Sequence, residues 1–330
     1  MTTSLPNPLL TDAPAPPADA IAHTLREIGA QVLVRGWLSA NNLVFAGGAA
    51  GASVVDTGYL SHAAQTVALV AQALGGAPLA HVVNTHLHSD HCGGNASLAR
   101  RWPGLRISVP VGYRSRLLPW DEHRLSYRDT DQQCEPFTPQ AFIGAGDQIM
   151  LGERAWQVHA TPGHDPDAVV LFEPSSRTLI SGDALWQQRL AIIFPELSGE
   201  PGFAAAHQAL DLIEALQPRL VLPGHGQPFT GVAAALHASR QRLRAFAAAP
   251  VKHRQHAARA LVSYHMLEHR VRPRAALIDW IIATPIFCRA LQCEHDPVLA
   301  RALATQTVDR LLADGVLVLR GDQVVLAQDG

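Results

Sequence analysis

A chain of 330 residues is long enough for a catalytic domain of ordinary size with a smaller unit attached. Hydrophobic residues make up 48% and charged residues 16%, the balance of a well-buried globular protein, which excludes a disordered one. The formal net charge of -2 supplies no global field toward nucleic acid or an anionic membrane, and no apolar run approaches the roughly 20 residues that cross a bilayer.

Residues 1–19 carry Pro6, Pro8, Pro14, Pro16 and Pro17 among alanines, can sustain neither helix nor sheet, and are expected to form a mobile arm before ordered structure starts near Ile21. The arm lacks the basic start and apolar centre of an export signal, so a cytoplasmic location is expected. From Gln31 three short apolar runs, QVLVRGWL, NLVFAGG and ASVVDTG, are each closed by Gly or Asn and predict antiparallel strands. Helical spacing follows over His62 to Leu74, and then a short strand over His81 to Asn84 empties into THLHSDHCGGN, which therefore sits on a strand-to-helix loop.

Tyr113 to Phe142 has no clear period and reads as an insertion near the site, able to cover it. Its Arg114, Arg116, Arg124 and Arg128, interleaved with Tyr113, Trp120 and Tyr127, could grip an anionic or aromatic substrate. A second half repeats the first, with strands near Trp156–Ala160, Ala168–Phe172, Thr178–Ser181 and Leu220–Leu222 and a helix over Phe203–Leu216. Beyond Pro250 the pattern turns helical over His253–His269, Pro273–Thr284 and Ala300–Ala313 and ends in a Gly-centred hairpin, VLVLRGDQVVLA. The division expected is an arm over 1–19, a catalytic domain over 20–250 and a winged-helix-like unit over 251–330. Cys92, Cys134, Cys288 and Cys293 show no CxxC spacing and read as free thiols.

Seventeen histidines against four tyrosines and three methionines ask for a chemical reason, and metal ligation is the first candidate. In His86-Leu87-His88-Ser89-Asp90-His91, two histidines one residue apart on an extended loop project the same way and can share an ion. The turn at Gly93-Gly94 can aim Asp90 and His91 toward a second ion beside it. Four ligands from one loop cannot close two sites. His164 in TPGHD, Asp183 in LISGDALW and His225 in LVLPGHG supply the rest, each just after an apolar strand at a Gly-containing turn. Asp183 is the natural bridge, because a carboxylate can offer one oxygen to each metal. Imidazole and carboxylate donors suit zinc, the metal expected for both ions, and also iron or manganese.

Over about residues 30–230 the chain resembles the metallo-β-lactamase fold superfamily, whose HxHxDH, later His, bridging Asp and final His are matched position by position. The resemblance implies an α/β (α+β) fold, a four-layer αβ/βα sandwich with its site along one edge of two facing sheets, here followed by the small helical, winged-helix-like unit. It implies that His86, His88 and His164 hold one metal, that Asp90, His91 and His225 hold the other, and that Asp183 bridges. Asp56 in VVDTG matches an aspartate expected to orient the metal loop. One departure is Asp165 after His164, where TPGHT is commoner.

Two divalent ions about 3.5–4 Å apart can share a hydroxide as nucleophile, with Asp90 and Asp183 as the carboxylates of catalysis. Typical lactamases lack an aspartate at the bridging position, and signal-quenching lactonases carry a tyrosine between the bridging Asp and the last His, which is missing between Asp183 and His225. A glyoxalase II-like ligand set acting on a small-molecule thioester or ester therefore leads. A ribonuclease using the winged-helix tail, and an iron-dependent persulfide dioxygenase, are the alternatives. Residues 251–330 hold ten Lys and Arg against eight Asp and Glu, so nucleic acid is the less favoured partner, and a homodimer through this unit or a wall of the substrate cleft is preferred.

Overall fold

The computed structural model describes residues 18–48 and 50–327, so nearly all of the expected N-terminal arm lies outside the described residues. A helix over Ala18–Glu27 is already formed before Ile21, slightly earlier than the sequence suggested. The three apolar runs that follow become strands β1 (Ala30–Leu33), β2 (Asn42–Phe45) and β3 (Ala52–Val55), paired antiparallel as expected. Strands β4 (Leu79–Val83), β5 (Arg106–Pro110) and β6 (Ala141–Ile143) then add in parallel, giving a six-stranded sheet in sequential order.

A second sheet runs β11-β10-β9-β8-β7, from β7 (Gln148–Leu151), β8 (Arg154–Ala160), β9 (Val169–Glu173), β10 (Thr178–Gly182) and β11 (Leu220–Pro223). Only its last pair, β10 with β11, is parallel. The helix Phe203–Leu216 makes the β10–β11 crossover, as a parallel connection requires.

The period of two along each strand assigns residues to layers. On the first sheet Leu43, Phe45, Val55 and Val83 face inward and meet Trp156, Val158, Leu171, Ile180 and Leu222 of the second, forming the core between the sheets. Their neighbours Val44, Val54 and Val82 face outward under Val70, Leu74 and Leu98 of the helices Ala63–Leu74 and Asn95–Arg101. On the other side Phe172, Leu179 and Val221 lie under Leu210, Ile213, Leu236 and Leu243 of Phe203–Leu216 and Val232–Ala248. Four layers, helix on sheet on sheet on helix, result. Strands covered on both faces need no alternation, which is why β2, β3, β9 and β10 read as continuous apolar runs.

The segment 113–142 is less a cover than part of this core. Short helices at Arg114–Leu117 and Tyr127–Thr130 bury Tyr113, Leu117, Leu125, Tyr127, Cys134 and Phe137 against the first sheet's outer layer. At the C-terminal end the helices Pro250–His269, Arg274–Ala283, Pro285–Leu291 and Pro297–Ala313 enclose a core of their own around Val262, Met266, Leu277, Phe287, Val308 and Leu311. Beside them β12 (Val271–Pro273), β13 (Leu317–Arg320) and β14 (Gln323–Leu326) form an antiparallel sheet in the order β12-β14-β13.

Candidate metal centre

All seven sequence-selected residues converge at one edge of the sandwich. Strand β4 delivers His86 and His88, and the single helical turn Ser89–Cys92 turns Asp90 and His91 back toward them. His164 lies in the β8–β9 turn, Asp183 follows β10, and His225 follows β11. The edge is closed by backbone bonds between the two halves: Val169 N donates to Thr85 O at 2.9 Å, and Asn41 N donates to Gly224 O at 2.7 Å. Gly224 has to be glycine, since a Cβ there would stand 2.4 Å from Asp183 Oδ1.

Two donor groups emerge, His86 with His88 and His164, and Asp90 with His91, Asp183 and His225, each with its ligand atoms within 4.8 Å of one another. Asp183 looks both ways. Its Oδ2 lies 3.5 Å from His164 Nε2 in the first group, while its Oδ1 lies 3.3 Å from His91 Nε2 and 3.9 Å from His225 Nε2 in the second. Asp90 Oδ2 is 3.0 Å from His225 Nε2.

The free nitrogens are selected by bonds behind the rings. His91 Nδ1 is tied to Asp56 Oδ2 at 2.7 Å, and His164 Nδ1 to Ile192 O at 2.6 Å. With those nitrogens acting as donors, Nε2 of each ring presents a lone pair inward, and both Nε2 atoms are buried without a hydrogen-bond partner. Buried polar atoms are seldom left so, and orphaned imidazole nitrogens facing carboxylates are what a pair of divalent cations would satisfy. The donor set fits two such ions without choosing the element.

Electrostatics point the same way. Burial, and then the neighbouring rings, push His86 far down, and burial outweighs the nearby aspartates to bring His88 and His164 to about 4, so these rings are neutral at ordinary pH and able to coordinate. Burial works against the charged form of Asp90 and Asp183, but His91 and His225 outweigh it and hold both carboxyls below their usual range. Burial would lower His91 as well, yet the three aspartates around it, Asp183, Asp56 and Asp90, raise it well above the ordinary imidazole value. A cation in that position would take over the proton's role.

Around the centre lie residues of three kinds. Asp165, the departure from the commoner TPGHT, is buried with Oδ2 3.7 Å from His88 Nε2; burial raises its carboxyl even though it accepts a bond from Tyr113 and faces Arg116. Tyr113 also accepts from Leu87 N at 3.1 Å, so the 113–142 segment braces the metal loop from behind. Its arginines are taken up by neighbouring groups: Arg116, which faces Asp165, pairs with Asp167, Arg114 lies 4.6 Å over the Phe142 ring, Arg124 bonds Ser115, and Arg128 bonds Glu122 at 3.2 Å. Cys92 is fully buried against Tyr127 and Cys134, a packed residue as expected.

An aromatic lip was only half anticipated. Phe194 packs against His88 and His164, with ring centroids 4.7 Å and 5.5 Å apart, and Trp186 Nε1 donates to Asp183 Oδ1 at 3.1 Å. Trp37, not singled out from the sequence, stacks on the His225 ring at 5.3 Å and meets Trp186 edge-on at the same spacing. Nor was His253 singled out, whose Nε2 accepts from Ile193 N at 3.1 Å, next to the carbonyl that holds His164. No helix among the described residues is long and apolar enough to cross a membrane.

Known proteins place this geometry. The profile of the metallo-beta-lactamase superfamily matches residues 35–225. A probable metallo-hydrolase of Bacillus subtilis is 28% identical over 206 residues, 54% of this chain and 76% of its own. A hydroxyacylglutathione hydrolase of Xanthomonas euvesicatoria pv. vesicatoria is 30% identical over 190 residues, 56% of this chain and 60% of its own length. An acyl-coenzyme A thioesterase of Gallus gallus is 27% identical over 162 residues, 44% of this chain and 56% of its own. Among solved structures, a beta-lactamase domain protein from Burkholderia ambifaria shares the fold with a TM-score of 0.56 at 23% identity, covering 90% of this chain and 92% of that one. A metallo-beta-lactamase family protein from Thermus thermophilus gives 0.55 at 18% identity, covering 90% and 98%. The sandwich, its two-metal-compatible edge and the matched span together make this chain a member of the metallo-beta-lactamase superfamily.

Proposed function

We propose that the chain hydrolyses a thioester, or an activated ester, of a small molecule at a dinuclear centre in which His86, His88 and His164 hold one divalent ion, Asp90, His91 and His225 hold the other, and Asp183 bridges. The observation that carries this reading is the disposition of Asp183, each of whose oxygens faces a different group of imidazole nitrogens. Bound there, two divalent ions supply Lewis acidity toward a scissile carbonyl and lower the pKa of water toward neutrality. The protein's own part is to fix donors and keep bulk water out. Trp186 holds the Asp183 carboxylate by its indole N–H, Asp56 holds His91, and Phe194 and Trp37 wall the two outer imidazoles. No serine or cysteine nucleophile is needed, and Cys92 is packed away behind the loop.

The carboxylate at position 183 weighs against a β-lactam, the lack of a tyrosine between Asp183 and His225 against a signal lactone, and the nearly balanced charge of residues 251–330 against nucleic acid, while a thioester is favoured because relatives named as a hydroxyacylglutathione hydrolase and an acyl-coenzyme A thioesterase align with this chain. Zinc is the metal we expect. In the C-terminal unit the order helix, strand, helices, then hairpin is winged-helix-like, and we read it as a wall of the site rather than a nucleic-acid reader. The test is a panel of thioester, lactone, phosphodiester and nitrocefin substrates, run on protein of known metal content and on Asp183→Asn. Thioester turnover should lead the panel and fall roughly a hundredfold or more in the variant. If the native metal form turns over no ester, thioester or phosphodiester faster than the variant, the hydrolase reading is wrong.

A further inference from the structure

Outside the ligand set the mouth of the site carries an unspent positive charge. Arg189, six residues beyond Asp183, lies with its guanidinium carbon 4.8 Å over the Trp37 ring, the same ring that stacks on the imidazole of His225. Arg189 is exposed and makes no ion pair among the described residues; its partner is the indole. Arg242 of the helix Val232–Ala248 donates to the Gln188 carbonyl and pins the loop just before Arg189, also without a carboxylate partner among the described residues. The His256 ring is pushed below the ordinary imidazole value by burial first and then by Arg259, Arg242 and Arg189. Of these only Arg259 is matched by an acid, Asp314 at 3.3 Å.

A cation held on an indole face, one stacking distance from a metal ligand, has its donor edges turned to solvent and available to an anion. We propose that Arg189, seated on Trp37 and steadied by Arg242, is the subsite for an anionic group on the thiol half of the substrate. This rests on the thioester reading above and narrows it to thioesters whose leaving thiol is charged. A carboxylate of a peptide thiol and a phosphate of a nucleotide-bearing thiol offer the same chemistry to a guanidinium, and the carboxylate, lying closer to sulfur, suits the short span from His225 to Arg189. Trp37 would serve twice, as the platform for Arg189 and as the wall against which the thiol's arm lies.

Three acetyl thioesters separate the cases: S-acetylglutathione, acetyl-coenzyme A and the neutral S-acetyl-N-acetylcysteamine. The native enzyme should prefer an anionic thioester over the neutral one by roughly tenfold or more in kcat/KM. Arg189→Gln should erase most of that preference through KM, Arg189→Lys should restore part of it, and Arg242→Gln should show a weaker form of the same loss. Higher salt should lower the preference as the variant does. Which anion is preferred names its source, carboxylate or phosphate. Binding of S-methylglutathione and of S-methyl-coenzyme A by equilibrium dialysis reads the subsite without turnover. If one of them binds and Arg189→Gln weakens it while no thioester is hydrolysed, the subsite stands and the reaction assigned above fails. Equal kcat/KM for all three thioesters in the native enzyme, or a loss in Arg189→Gln shared by the neutral thioester, would overturn the proposal.

Discussion

Asp56 holds a backbone φ of 56° at the end of β3, a conformation that costs a residue with a side chain about 1–3 kcal/mol unless its surroundings enforce it. The enforcement is visible: its carboxylate accepts from Thr85 N at 2.9 Å, from Thr85 Oγ1 at 2.8 Å and from His91 Nδ1 at 2.7 Å. Replacing it by Asn removes the charge that fixes the His91 tautomer, and Asp56→Asn should weaken metal binding by roughly 10- to 100-fold, read by competition with a chromogenic chelator. Unchanged affinity would reduce Asp56 to a turn residue. The residue scale was well legible where function crowds donors into a short loop, as in His86 to His91, or leaves one after a strand, as at His164, Asp183 and His225. Asp56 was reached through the resemblance to the superfamily instead. Trp37, Arg189 and Asn41 were not, because each acts on a partner far along the chain; Asn41 Nδ2 donates to Pro223 O, 182 residues away. Nothing in their local sequence marks that contact.

Among the elements, the helix Pro250–His269 does the most for the site while lending it no ligand. Its His253 accepts from Ile193 N, its Tyr264 donates to Leu38 O at 3.2 Å beside Trp37, and its Glu268 accepts from Tyr59 at 3.0 Å. One helix thus clamps three loops that frame the centre. His253 is held at about 4, by burial first and then by His256, so its ring is neutral and Nε2 can accept. His253→Leu leaves the buried Ile193 N–H unpaired and should destabilise the metal-free protein by about 1–3 kcal/mol in urea. Because Ile192 O orients His164, the same variant should also bind metal more weakly, while a surface substitution such as Gln255→Ala should move neither. The helices Ala63–Leu74, Phe203–Leu216, Pro250–His269, Arg274–Ala283 and Pro297–Ala313 were legible from their period, whereas Val232–Ala248 was not read as one. Strands β5, β6 and β7 were not legible: β6 is three residues long at a sheet edge, and β5 opens on the exposed Arg106, so neither shows enough alternation to be recognised.

For the whole molecule, the sandwich was implied by the resemblance that the metal motif carries, and the two strand-rich halves were consistent with it. What the pattern could not give was the service of 113–142, which its arginines suggested was a lid and its buried Tyr113, Tyr127 and Phe137 make a brace. A segment whose apolar residues point inward without a period looks the same in sequence as one that covers a cleft. The ligands, the bracing carboxylates and the aromatic lip acquire meaning together only if two ions share Asp183. The decisive experiment is therefore a titration of metal-free protein with zinc, counted by elemental analysis after gel filtration. Two ions per chain are expected for the native sequence and fewer than two for Asp183→Asn; one ion or none in the native protein would contradict the shared bridge.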